Sequence, residues 1–156
     1  MRNLFAPIYE LLIDLYGQFL AYHLYGYDCQ YSEVNQSLYG NIGVSMILIS
    51  LAICAIFYYV INHPRFNRWY HWLILLLINA GINFYIGFDM TNSELQQGKI
   101  CADFVKDPIT NIIQIDVSNC IGFGYNNAII ATLFFVLFSF TIRWRSKNCS
   151  TCPIPN

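Results

Sequence analysis

The chain has 156 residues, 56% of them hydrophobic and only 11% charged. An ordinary soluble domain carries about 25% charged residues, so this composition excludes one and points to a bilayer. The net charge of −1 excludes a general attraction to nucleic acid, and the length suits one unit with no second domain.

Residues 4–26 are the first predicted helix, with Pro7 in its first turn. Glu10, Asp14 and Gln18 recur at i, i+4 and i+8 and would share one face, with apolar residues on the other. Such a helix either spans with its acidic stripe turned into a bundle or lies flat at the interface. Anionic lipid repels an acidic stripe, so spanning is expected. Residues 27–41 are polar, hold Asp28 and Glu33 without Lys or Arg, and read as an outer loop. Asn35-Gln36-Ser37 matches the glycosylation sequon.

Residues 42–61 and 69–88 are apolar runs of spanning length, since about 20 helical residues cross a hydrocarbon core of roughly 30 Å. Between them the joint 62–68 holds His63, Pro64, Arg65 and Arg68. Proline cannot continue a helix, so a tight hairpin is expected, with its arginines in the cytoplasm by the positive-inside rule. Gly43, Ser50 and Cys54 offer a small-residue contact face on the second helix. Tyr58, Tyr59, Trp69, Tyr70 and Trp72 read as interface anchors beside the joint. Asn79, Asn83 and Gly87 repeat by four on the third helix. Intramembrane amides turn toward protein, which makes the pair Asn79 and Asn83 the expected partner of the Glu10-Asp14-Gln18 stripe.

Residues 89–126 read as the longest outer loop, with a short strand suggested by the alternation of Ile113, Ile115 and Val117. The fourth helix is placed at 127–144, followed by a cytoplasmic tail, 145–156. On four spans, Arg65, Arg68, Arg143, Arg145 and Lys147 fall on one side and determine the orientation. The expected architecture is therefore an all-α integral membrane bundle of four transmembrane helices, or three if the first helix is interfacial. It would be a single multi-pass domain of the inner (plasma) membrane, with both termini cytoplasmic.

Cys29, Cys101 and Cys120 then lie outside. Pairing Cys101 with Cys120 would close the second outer loop and stabilise it by about 3 kcal/mol in the chain-entropy model. Cys29 can replace either partner. Cys149 and Cys152 form a CxxC in the inner tail, on the side of His63 and His71; these four are weak metal candidates, and no metal or other cofactor is expected. Four spans with a larger, cysteine-bearing second loop look like a tetraspanin, but the Cys-Cys-Gly signature of that family is absent. No catalytic set converges in the sequence, so an enzyme is not expected. The expected role is a structural or interaction subunit of a larger membrane assembly of the secretion or defence type, in a homo- or hetero-oligomer within the lipid bilayer. The alternative is a subunit of a small cation channel or transporter lined by Glu10 and Asp14.

Overall fold

A computed structural model of the chain describes residues 5–29, 37–60 and 69–143, with the side chains of Val60 and Arg143 left aside. Among these residues the protein is helical and has no strand. Three helices among the described residues are long and apolar enough to cross a membrane: Leu38–Tyr59, Trp69–Gln96 and Val117–Ile142. The joint residues His63, Arg65 and Arg68, the tail residues Arg145, Lys147, Cys149 and Cys152, and most of the sequon lie outside the described residues.

The first predicted helix is not continuous. Helix α1 (Ala6–Glu10) gives way to a single 3-10 turn, Ile13–Leu15, and α2 (Gln18–Tyr25) starts afresh. Pro7 stands in the first turn of α1, as a proline can. The break falls at Gly17, whose φ of 84° only glycine adopts without strain. Helix α2 then closes on Gly26, where the Gly26 amide donates to Tyr22 and His23 carbonyls and the Tyr27 amide reaches back to Tyr22. This is the left-handed glycine stop that satisfies the last carbonyls of a helix.

The long helices are α3 (Leu38–Ala55, continued by one π-helical turn, Ile56–Val60), α4 (Trp69–Gln96) and α6 (Val117–Arg143); the short α5 (Ala102–Val105) lies between the last two. Helix α4 runs eight residues past its expected end at 88, and α6 begins ten residues before its expected start at 127. A reciprocal cap causes the early start. Asp116 Oδ1 accepts the Ser118 and Asn119 amides at 2.8 and 3.3 Å, and Asn119 Oδ1 accepts the Asp116 amide at 2.9 Å. That arrangement satisfies the orphan donors of a helix N-terminus. The alternating segment therefore runs without regular structure from Ile113 to Asp116 and enters α6 at Val117 instead of forming a strand; an isolated Lys106–Ile113 bridge is what it pairs.

Two apolar clusters hold the bundle. The larger one joins α1, α2 and α5 to the first turns of α3 and α6 through Tyr9, Tyr16, Leu20, Tyr39, Phe104 and Phe123. The smaller lies at the opposite end, around Cys54, Phe57, Tyr58 and Phe135. There the Ser139 hydroxyl takes the Trp72 indole proton at 2.6 Å and pairs with the Tyr58 hydroxyl at 2.8 Å, tying all three long helices. Tyr58 is thus a core residue, whereas Tyr59 and Trp69 are exposed. On α3, Gly43, Ser50 and Cys54 are all buried.

The disulfide joins Cys29 to Cys101, across 72 positions. The expected Cys101–Cys120 bridge does not form, because Cys120 falls in the first turn of α6, buried and free. The second connecting segment is therefore pinned to the N-terminal segment and not closed upon itself. In the chain-entropy model a loop of this length contributes roughly 4 kcal/mol.

Candidate functional site

The feature that sets this protein apart from a plain helical hairpin is the docking of residues 5–29 on the bundle. The docking is polar at its centre. Tyr9 is fully buried and donates its hydroxyl proton to Asn127 Oδ1 at 2.6 Å. The backbone carbonyl of Tyr9 accepts a hydrogen bond from Asn126 Nδ2 at 2.8 Å. Asn119 Nδ2 reaches the Tyr16 carbonyl at 2.9 Å, and the Tyr16 hydroxyl pairs with that of Tyr39 at 2.8 Å. The two carbonyls flank the break: that of Tyr9, in the last turn of α1, also accepts the Leu12 amide at 3.3 Å and the Tyr16 hydroxyl at 3.3 Å, and that of Tyr16 lies between the 3-10 turn and α2.

Shape completes the contact. A Cβ on Gly122 would run into the Leu15 carbonyl, so the backbone of the 3-10 turn rests directly on α6. Around it the rings interlock: Tyr9 stacks on Tyr39 at 5.3 Å between centroids, and Phe123 meets Tyr16 edge-on at 5.2 Å. Such pairs add about 0.5–1.5 kcal/mol each beyond the area they bury.

Asn79 and Asn83 lie in the same network, fully buried between α4 and α6. Asn79 Nδ2 donates to the Ala131 carbonyl at 3.2 Å, Asn83 Nδ2 to the Asn79 carbonyl at 2.9 Å, and Asn127 Nδ2 to the Asn83 carbonyl at 2.6 Å. Their partners are thus one another and α6. Glu10, Asp14 and Gln18, the partners expected from spacing, are exposed and make no part of this network. The break between α1 and α2 removes the single helical face that would have stacked them. Asn83 Oδ1 and Asn126 Oδ1 remain buried without a hydrogen-bond partner. The residues that sequence reasoning missed are Tyr9, Tyr16, Asn126 and Asn127. The Asp116-x-x-Asn119 cap was the signal that would have extended α6, bringing Asn126 onto it and moving Asn127 from its expected start into its body.

No protein-family model matches the chain, and no curated protein and no solved structure matches it either. The site must therefore be read from its own chemistry.

Among the described residues no group of three or more His, Cys, Asp or Glu is placed to hold a metal ion. His71 sits on α4, its ring 4.2 Å from that of Tyr70. His23, on α2, places Nε2 3.6 Å from Glu94 Oε2, slightly beyond hydrogen-bond length. Glu94 also holds Lys99 at 3.0 Å. Burial pushes the His23 imidazole below its ordinary pKa, with Glu94 pulling the other way. In the connecting segment, the Thr110 hydroxyl and two backbone amides hold Asp107 below the usual carboxylate range. These bonds order an exposed turn.

The outward side of the docked segment carries a partly open cleft of about 280 Å³. Glu10 and Gln18 stand at it with the rings of Tyr22, Tyr25 and Tyr27. Tyr25 and Tyr27 are stacked at 5.1 Å, and Tyr22 meets Tyr27 nearly at right angles, at 82°.

Proposed function

We propose that this protein is a non-catalytic subunit of a larger membrane assembly, crossing the bilayer three times and meeting its neighbours through α4. The observation that carries this reading is the uneven burial of the long helices. Only 17% of the apolar window of α4 is buried, against 39% for α3 and 44% for α6. Trp69, Leu73, Leu77 and Tyr85 are exposed on α4, and Gly81 has nothing within 4 Å of where its Cβ would stand. A small residue on an open helix face permits close approach by another helix in a membrane. Opposite this face, the buried amides of Asn79 and Asn83 are consumed in holding α4 to α6.

In this reading residues 5–29 lie on the same side of the membrane as the Cys101 segment, and the arginine-bearing joint lies in the cytoplasm. The membrane would be the inner (plasma) membrane. A cation channel lined by the first helix needs Glu10, Asp14 and Gln18 along one continuous helix. The break at residues 11–17 favours the subunit reading over that one.

The test is crosslinking in cells from a photoreactive residue at position 81, with position 87 as the buried control. A crosslinked partner or second copy at 81 supports the proposal. A monodisperse monomer in mild detergent, with lipid adducts alone at 81, overturns it.

A further inference from the structure

We infer that the turn between α5 and α6 is a membrane-surface contact: Ile109, Ile112 and Ile113 insert into the lipid headgroup layer on the side of the Cys29–Cys101 bridge. The inference rests on the three-span reading above. Ile109 is 88% exposed, Ile112 62% and Ile113 67%. A single exposed aliphatic residue is ordinary, whereas three within a stretch of five positions make a patch. The patch is held outward by the turn that carries it. Asp107 Oδ1 accepts the Ile109 amide at 2.8 Å, and Asp107 Oδ2 accepts the Thr110 hydroxyl at 2.7 Å. The Asp107 amide closes the turn on the Ile112 carbonyl at 3.0 Å, and the Gln114 amide fixes its base on the Val105 carbonyl at 2.9 Å.

The height of the turn identifies lipid as its partner. A Cβ on Gly124 would stand 3.0 Å from the Phe84 carbonyl, so these two positions are level on α4 and α6. Asp89 is exposed on α4 and lies about 7.5 Å farther out than Phe84. From Trp69 to Asp89 the helix rises about 30 Å, the thickness of a hydrocarbon core, so Asp89 marks its edge. Val117 stands about 10.5 Å out from Gly124. That sets it about 3 Å beyond the edge, inside a headgroup layer of roughly 5–7 Å. Ile113 belongs to the short non-helical stretch that leads into Val117, and the exposed apolar surface continues down α6 through Val117, Ile121 and Tyr125. Lys106 is exposed and pairs with Ile113 across the turn. Its stem can lie along the isoleucine while its ammonium meets lipid phosphate. The carboxylates of Asp107 and Asp116 are occupied by hydroxyls and amides of their own turns. A protein partner fits less well, because binding hot spots favour Trp, Tyr and Arg and residues 107–113 hold none of them.

The test uses the full chain with its Cys29–Cys101 bridge, in phosphatidylcholine vesicles, with a dansyl-bearing amino acid in place of Ile113. Lipid brominated near the headgroup end of its acyl chains should quench this probe, and aqueous iodide should not. The same probe in place of Gln96, exposed at the end of α4 and about 10 Å beyond Asp89, should show the reverse. A probe in place of Ile129, exposed on α6, should be quenched by lipid brominated deeper in the chain, which checks the spans themselves. Ile109→Asp combined with Ile112→Asp, at exposed positions that leave the disulfide in place, should abolish lipid quenching at 113 and admit iodide. Iodide quenching at 113 equal to that at 96, with 129 still reached by lipid, overturns the inference and leaves the three-span reading standing. Loss of lipid quenching at 129 as well overturns both. A probe at 113 shielded from iodide and from brominated lipid alike overturns the inference in favour of a second copy of the chain. Lipid quenching unchanged in the double variant overturns it too.

Discussion

Tyr9 and Asn127 stand 118 positions apart in the chain, and the hydroxyl of the first lies 2.6 Å from the amide oxygen of the second. Asn127 is thereby fastened on both sides, because its own amide donates to the Asn83 carbonyl. Tyr9→Phe keeps the ring contacts and strands one buried acceptor. The cost of a stranded buried group is about 1–3 kcal/mol in water-soluble proteins, and interhelical hydrogen bonds in membranes average about 0.6 kcal/mol. Thermal unfolding in detergent should show Tyr9→Phe destabilised within that span. Asn127→Ala should lose more, since it strands Tyr9 and leaves a cavity as well. If Asn127→Ala matches the parent, the network contributes nothing to stability.

At Gly122 the backbone of the docked segment lies against α6 with no room for a Cβ. Any side chain there meets the Leu15 carbonyl. Gly122→Val should undock residues 5–29 while α3, α4 and α6 stay assembled, at a cost of roughly 1–3 kcal/mol or more. Limited proteolysis would read this as new cleavage between Leu11 and Gly17. Gly40, with open space around it, is the control position for alanine.

His23 makes the docked state sensitive to acid. Its folded pKa lies below its unfolded one, chiefly through burial. The unfolded or undocked form therefore binds the proton more readily, and stability rises with pH. The His23 contribution is complete above its ordinary value of about 6.5 and is lost as pH falls from there through the folded pKa. Hydrogen exchange in α2 should accelerate at pH 5 relative to pH 7.5. Glu94→Gln should steepen that dependence, because Glu94 is what favours the charged imidazole. His23→Gln should flatten it.

Cys29 and Cys101 are bonded, and Cys120 is buried and free. Cys120→Ser should leave migration on a non-reducing gel unchanged. Cys29→Ser and Cys101→Ser should each abolish the shift seen on reduction. A maleimide reagent should label Cys120 only after denaturation. A retained shift in Cys29→Ser would revive the Cys101–Cys120 pairing.

The three long helices were legible because each carries a run of apolar residues that only a helix of that length accommodates. The burial of Gly87 and of its four-residue neighbours Asn79 and Asn83 follows the same logic. What the spacing of Glu10, Asp14 and Gln18 concealed was the backbone between them. Three side chains share a face only if the helix beneath is unbroken, and Gly17, with its left-handed φ, breaks it. The tyrosines were hidden for a different reason. At a membrane interface and in a packed core the same ring is equally at home, so only the position of Asn126 and Asn127 on an extended α6 distinguishes the two. That extension depended on the Asp116 cap, which the isoleucine alternation disguised as a strand.

The bridge from Cys29 to Cys101 turns α3 and α4 into the contents of a covalent ring, with the docked segment and α6 leaving it as two arms that fasten to each other. A ring of this kind closes only after both helices have been laid down and both cysteines have arrived in the same compartment. Oxidation of this pair is then a chemical time-stamp, and the fraction of newly made chain that carries it reports how far assembly has gone.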